Sequence, residues 1–339
     1  MTRIRFGGRR RHRPLSPFAR APARIAPTIR RRTVRVNGQC ARHVPYFRLL
    51  GAQLAVGAAA IFARFALSGT GPVAVSALRL ALAELALVAG LLLFRRARRR
   101  LELRREAAFA AAGLALALHF ATWIASLLFT SVAISTLLVA TTPVWTEAYD
   151  SLARRRKPSP SYAIALALAL AGIALIARQR SSPAPVSGHA LLGAALALLG
   201  GLAIGAYLIV VRGAGREADG TPIATEHIVV RTYGWAAIAL GLLALALRQP
   251  PPPAGNLKAW GGIAGMAFIS QLLGHTAINA SLRDFSPSIV AMSTLLEPVA
   301  ASLLAAAIFG EAITVSTALG GALVIAAIAL CLRDNVLVT

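Results

Sequence analysis

The sequence predicts an all-α polytopic membrane protein, with about ten transmembrane helices arranged as two inverted five-helix repeats. Three observations predict it. Hydrophobic residues fill 57% of the 339 positions and charged residues only 14%, where a soluble domain is nearer a quarter charged. The apolar residues collect in ten stretches, each long enough to cross a bilayer. Short motifs also recur in the same order in the two halves of the chain.

A hydrocarbon core of about 30 Å calls for roughly 20 mostly apolar residues in a helix. The first group of spans lies at about 49–68, 73–94, 107–129, 131–150 and 161–178. The second lies at about 188–211, 224–247, 258–281, 286–309 and 314–332. Gly69-Thr70-Gly71-Pro72, Pro158-Ser159-Pro160, Pro183-Ala184-Pro185 and Pro250 to Pro253 separate them. The segments are rich in Ala, Leu and Gly and lack period-two alternation, which reads as helix and not as a membrane barrel.

The formal net charge is +24, and 14 of the 36 basic residues fall within residues 1–48, which hold no Asp or Glu. In a soluble chain such a balance would suggest nucleic-acid binding. Here the charges sit in a tail and in short loops of a lipid-compatible chain, so no nucleic-acid partner is expected. With the N-terminus inside, the inner loops carry seven Arg at 95–105, four basic residues at 154–157, and Arg212, Arg216, Arg283 and Arg333. The outer loops carry only Arg178, Arg180, Arg248 and Lys258. This bias places both termini in the cytoplasm, and the expected location is a bacterial plasma (inner) membrane. The tail, 1–48, reads as a basic disordered cytoplasmic extension. Attraction to anionic headgroups and initiation nearer Val36 or Val44 are the other readings. Cys40 and Cys331 imply no disulfide framework.

The repeats are taken as 49–178 and 188–333. A shift of 155 places Thr142-Pro143-Val144 on Glu297-Pro298-Val299 and Ala171-Gly172-Ile173 on Ala326-Ala327-Ile328. A shift of 148 places Gly57-Ala58 on Gly205-Ala206. Five spans per repeat is an odd number, so the halves run in opposite directions across the membrane. Inverted repeats build alternating-access carriers, with the solute held near the midplane between them.

The stretch from Ser286 to Ile325 carries Leu296-Glu297-Pro298-Val299, then Phe309-Gly310-Glu311 and Gly320-Gly321. With Arg79 and Ala83, and Gly274-His275 through Asn279, it resembles the EamA-type family of the drug/metabolite transporter superfamily, over about residues 49–333. The first repeat departs from the pattern, with Arg154-Arg155-Arg156 in place of Phe309-Gly310-Glu311 and Thr142 in place of Glu297. The resemblance implies a secondary transporter, expected to be an exporter, of small metabolites such as amino acids. A non-transporting scaffold or sensor is the alternative. The partners are then a small-molecule solute and the lipid bilayer, with no cofactor and no metal.

Polar groups inside the spans are the candidates for the site. Arg79 and Glu84 ask about 5–7 kcal/mol of the second span, while its twelve Leu, Val and Phe residues return roughly 4–7. Both read as structural ion-pair partners, with Arg231 as a further one. Gln271, His275 and Asn279 fall at i, i+4 and i+8, on one face of an α-helix. The matching third span offers His119 and Trp123, also four apart, with Ser126 near them. These two faces are read either as cavity lining or as interhelical hydrogen bonding.

Glu297 lies in mid-span just before Pro298, which opens the helical hydrogen-bond ladder. It is the candidate for proton coupling, or else a permanent partner of Arg231 or Arg79. Thr142-Pro143 is its uncharged counterpart. Trp145, Tyr207 and Glu147 follow in rank, then Glu226, His227 and Arg231. The spacings Gly201/Gly205 and Gly261/Gly265 read as close helix packing.

Enzyme chemistry finds no support. There is no H-E-x-x-H, no G-x-S-x-G and no Walker lysine motif. Tyr149-Asp150 has no second aspartate in a Gly-flanked helix to share a proton.

The charge bias is tested by single cysteines at Thr70 and Leu103 in a Cys-free background. An impermeant thiol reagent added outside whole cells is expected to label position 70 and spare position 103. The reverse pattern would overturn the topology.

Overall fold

The computed structural model describes residues 38–94, 102–130, 132–179, 189–310 and 312–336. The chain divides into Met1–Ala41, of which only 38–41 are described, and Arg42–Thr339, to which everything below belongs apart from the first four residues of α1.

In the first repeat, the first span is α1 (Gly38–Gly57) with α2 (Ala59–Ala66), the second α3 (Pro72–Leu93) and the third α4 (Leu103–Ser126). The fourth is broken into α5 (Val132–Val139) and α6 (Thr142–Ala153), and the fifth is α7 (Pro160–Gln179). The second repeat opens with α8 (Ala190–Ala214) and α9 (Thr225–Ala246). Its third helix runs through α10 (Leu257–Gly265), a π-helical segment (Met266–His275) and α11 (Thr276–Ser281). Then come α12 (Pro287–Thr294), α13 (Glu297–Phe309) and α14 (Val315–Val336). Eight of these ten units are long and apolar enough to cross a membrane. The other two are the fourth, which carries Glu147 and Asp150, and the eighth, which the π segment interrupts.

Local chemistry sets the ends. Pro72, Pro160 and Pro287 each open a helix, where a missing N–H leaves nothing unpaired. Ser159 and Ser286 Oγ accept from the N–H of Tyr162 and Ile289 at 3.1 and 3.4 Å, and Asn256 Oδ1 accepts from that of Ala259 at 3.0 Å. Gly310, at φ +67°, ends α13 in the left-handed conformation that favours glycine. Gln249, beyond the end of α9, accepts from the N–H groups of Val73 and Ala74 at 2.9 and 3.1 Å. One side chain thereby caps α3 and ties the two repeats together.

The tail expectation needs correction. Residues 38–48 are helical, so the first span begins well before position 49. Arg48 anchors that extension, since its guanidinium pairs with Asp284 and donates to Ser281 Oγ at 3.3 Å. Residues 1–37 of the expected tail lie outside the described residues.

The two repeats pack around a pseudo-two-fold axis. α3 lies on α9 and α7 on α14, so each helix meets its own counterpart, and the contact of α4 with α8 is echoed by that of α10 with α2. The fourth and ninth spans break at equivalent places. At the breaks Thr141 N–H donates to Leu138 O at 3.2 Å and Leu296 N–H to Ser293 O at 3.0 Å, three residues back instead of four. Pro143 and Pro298 follow each break as the second residue of the next helix, where their missing donor is harmless.

Arg48, Arg105, Arg154 to Lys157, Arg212, Arg216 and Arg283 gather at one end of the bundle, here called the basic end. Arg105 pairs there with Glu217 at 3.6 Å, and Arg231 with Glu106 at 2.7 Å.

Close helix approach accounts for Gly201, where a Cβ would lie 3.0 Å from Val139 O, and corrects the reading of Gly261 and Gly265. A Cβ on Gly172 would lie 2.5 Å from Gly320 O, so α7 and α14 meet backbone to backbone. That pair is separated by the same 148 positions as Gly57 and Gly205. Of Gly261 and Gly265, only the second packs. Gly261 has nothing within 4 Å, and the neighbouring Gly262 takes its place against α2, where a Cβ would stand 2.5 Å from Ala66 N and 2.6 Å from Phe62 O. Gly262→Ala is therefore expected to cost about 1–3 kcal/mol by overpacking, and Gly261→Ala to be neutral or mildly stabilising. Thermal unfolding of the two purified variants checks the contrast, and equal losses would refute it.

Candidate functional site

A cavity of about 130 Å³ lies at the centre of the bundle. Its wall is contributed by both repeats. α4 supplies His119, Phe120 and Trp123, α3 supplies Arg79, the broken fourth span Thr142, α8 Tyr207, the π segment His275, and α13 Glu297. Thr136 and Ala140 before one break, and Ala301 after the other, carry the wall away from the basic end. Towards the basic end the bundle is packed. There α6 lies on α12, and Gln53, wholly buried, donates to Ser293 Oγ at 3.0 Å. Tyr162 OH meets the carbonyls of Pro143 and Ser288 at 3.2 and 3.4 Å.

Arg79 is the unexpected member of this wall. It is wholly buried, and its Cζ stands 4.1 Å from the centroid of the Phe120 ring. Nη2 donates to Gln271 Oε1 at 2.7 Å, while Nε and Nη1 have no hydrogen-bond partner among the described residues. The expectation that Arg79 serves as a structural ion-pair partner is not met among the described residues, and Glu84 does not approach it. Five residues apart on one helix, the two side chains point to different faces. Arg79 faces the cavity, and Glu84 packs against α9, where a Cβ on Gly234 would lie 3.5 Å from Oε1. Arg231 is not the partner of Glu297 either, because Glu106 takes it.

Glu297 lines the cavity as the first residue of α13, and its carboxyl group makes no hydrogen bond to another described residue. Arg79 acts on it electrostatically across the cavity, beyond ion-pair distance. The site thus holds one cation and one carboxyl group, each incompletely partnered, within walls of aromatic side chains.

The two histidines differ in their bonding. His119 Nδ1 lies 2.9 Å from Gly200 O, an arrangement that requires Nδ1 to carry the proton and leaves Nε2 as an acceptor. Its ring lies nearly parallel to Trp123, 4° from coplanar with centroids 6.0 Å apart. The His275 ring meets the edge of Phe120 at 5.4 Å. Phe120 thereby touches Arg79 and both histidines. Sequence reasoning passed over it, although its place next to His119 was a usable signal.

The stripe of Gln271, His275 and Asn279 divides by role. The i→i+5 bonding of the π segment widens the turn, and only His275 reaches the cavity wall. Gln271 lies behind it as the acceptor for Arg79. Asn279 accepts from Tyr207 OH at 2.8 Å and donates to His275 O at 2.8 Å. Thr142 donates to Val139 O and Gly201 O at 2.7 and 3.1 Å, which pins the break to α8. Trp145 lies off the wall, where its Nε1 donates to Thr141 Oγ1 at 3.1 Å. Glu147 is held at the basic end by Arg156 at 3.0 Å. The Asp150 hydrogen bond, with Glu147 adding to it, raises the pKa of Arg156 above its ordinary value.

The sequence profile of the EamA-like transporter family matches residues 44–178 and, a second time, residues 191–333. No curated protein sequence matches the chain. Among solved structures, one crystal structure of another protein superposes on 86% of this chain and 96% of its own, with a TM-score of 0.70 and 14% sequence identity. At that identity the likeness is one of fold.

The division of roles is testable. Gln271→Leu removes a charge-assisted bond to a buried guanidinium and is expected to cost about 1.5–3 kcal/mol of stability. His275→Leu is expected to leave the melting temperature near that of the parent and to lower solute flux about tenfold, the equivalent of 1.4 kcal/mol. Melting curves beside liposome flux decide it, and a stable Gln271→Leu protein would remove Gln271 from its supporting role.

Proposed function

Because the chain belongs to the EamA-like transporter family, we propose that it is a secondary exporter of small zwitterionic metabolites, amino acids among them, working by alternating access. The observation that carries this reading is the incompletely partnered pair of Arg79 and Glu297 in a central cavity. A solute carboxylate fits the free guanidinium donors in bidentate fashion. An ammonium group fits the carboxyl of Glu297, and the aromatic walls suit an apolar side chain. The alternative of a scaffold or sensor gives no reason for a buried, incompletely hydrogen-bonded cation in a cavity wall.

The asymmetry of the packing supports alternation. Where α6 is seated on α12, the pseudo-symmetric counterpart would seat α5 on α13. Instead α5 packs on α7 and α8, and α13 leans on α2, α7 and α14. Exchanging those two contacts would close the far end of the cavity and open the basic end. The breaks before Thr142 and Glu297 are the natural hinges, since their backbone is already released from regular helix. With the basic end in the cytoplasm, as the loop charges favour, loading takes place there and release on the other side.

Glu297 is the coupling group in this scheme, taking a proton on one side and yielding it on the other as the hinge at its own helix start moves. Glu297→Gln is expected to keep solute exchange between liposome and medium and to lose accumulation driven by an imposed pH gradient. Parent flux that ignores the gradient would end the coupling idea, and absence of any flux in a screen of amino acids would overturn the zwitterion reading.

A further inference from the structure

A second, much smaller hollow opens at the basic end, beneath the floor of the central cavity. It has room for about one oxygen atom, at roughly 10 Å³. Arg212, Arg216 and Arg283 line it, together with Asn279.

The three guanidinium groups are held by backbone carbonyls, not by acids. Arg212 donates to Leu282 O, Arg216 to Gly220 O and Arg283 O, each at 3.0 Å, and Arg283 to Ile223 O at 3.1 Å. None of the three has a carboxylate within ion-pair distance among the described residues. The acids nearby are engaged elsewhere, Glu217 by Arg105 and Asp284 by Arg48. Arg212 has Arg216 and Arg154 as like-charged neighbours and feels Asp284 only from beyond ion-pair distance. Nε of Arg283 is buried without a hydrogen-bond partner among the described residues.

Topology alone calls for basic residues at this end, and solvated arginines spread along loops would satisfy it. Converging three of them on one hollow, with a buried donor left over, calls for an anionic acceptor. Planar guanidinium forks match the oxygens of a phosphate, and a hollow of one-oxygen size admits a single phosphate oxygen while the remainder stays outside.

We propose that this hollow binds a phosphate group, presented either by an anionic lipid headgroup of the adjoining leaflet or by a soluble phosphate ester. The bound group bridges α8, the 215–223 loop and the 282–284 turn. Asn279 belongs both to this hollow and to the partner set of Tyr207, so the ligand braces the floor of the central cavity.

The full-length protein in neutral detergent provides the test, by thermal unfolding and by lipid retained in native mass spectrometry. Phosphatidylglycerol is expected to be retained and to raise the melting temperature by several degrees. Phosphatidylcholine, whose own choline neutralises its phosphate, is expected to do neither. Arg216→Gln with Arg283→Gln is expected to abolish the effect, and Lys258→Gln, at the opposite end, to preserve it. Inorganic phosphate at equal ionic strength separates the sources. A shift matching that of the lipid assigns the site to soluble phosphate, and a shift with lipid alone assigns it to the headgroup. Should the double variant fail to fold, Arg283→Lys keeps the charge, loses the Nε donor and is expected to bind about tenfold more weakly. Stabilisation by neither probe, equal retention of both lipids, or undiminished binding in the arginine variants would overturn the proposal.

Discussion

A guanidinium with no exposed surface, in the middle of a bundle, is the constraint on which much of this structure depends. An isolated charge at the membrane centre is strongly disfavoured, so Arg79 has to be met by groups from other helices. Phe120 offers a ring face from α4, and Gln271 offers an amide oxygen from the π segment. Those two contacts bring the third and eighth spans to one side chain of the second. They do not use all the donors, and Arg79 is part of the cavity wall that Glu297 shares. Packing and site are thus consequences of one buried cation.

The backbone follows the same economy. Interiors in lipid require every polar backbone group to be satisfied within the protein. The fourth and ninth spans nevertheless break beside the cavity, where three-residue bonds replace the regular ladder and a proline, which has no N–H to satisfy, stands second in the helix that follows. The eighth span loosens into a π segment at the point where Gln271 and His275 must face different neighbours. The breaks before Thr142 and Glu297 and the His275 end of the π segment all border the central cavity. Backbone contacts such as that of Gly172 with Gly320 hold the outer helices of the two repeats together.

Much of this was legible in the sequence. Segment length, composition and loop charge are local properties of the chain, and they suffice for ten spans and for the odd-numbered repeat that inverts one half. Thr142-Pro143 against Glu297-Pro298 marked both breaks, because proline acts on its own backbone wherever it stands. His119, Trp123, Thr142, Tyr207, His275 and Glu297 were all picked out, and all of them line the cavity.

What tertiary structure alone decided was the partner of each buried polar group. Arg79 and Glu84 share a helix and carry opposite charge, yet their directions differ and neighbouring helices separate them. Gln271, His275 and Asn279 would share one α-helical face, but the π segment changes the turn between the first two, and packing sends one to a cation, one to the cavity and one to Tyr207. Gly261 and Gly262 are adjacent and chemically identical, and only the contact of α10 with α2 tells them apart. The sequence by itself determined how many helices cross, how they repeat and which polar residues they carry, because those follow from composition and local backbone chemistry. The tertiary structure decided which of those residues face each other, because a helix's rotation about its axis is set by the neighbours it packs against.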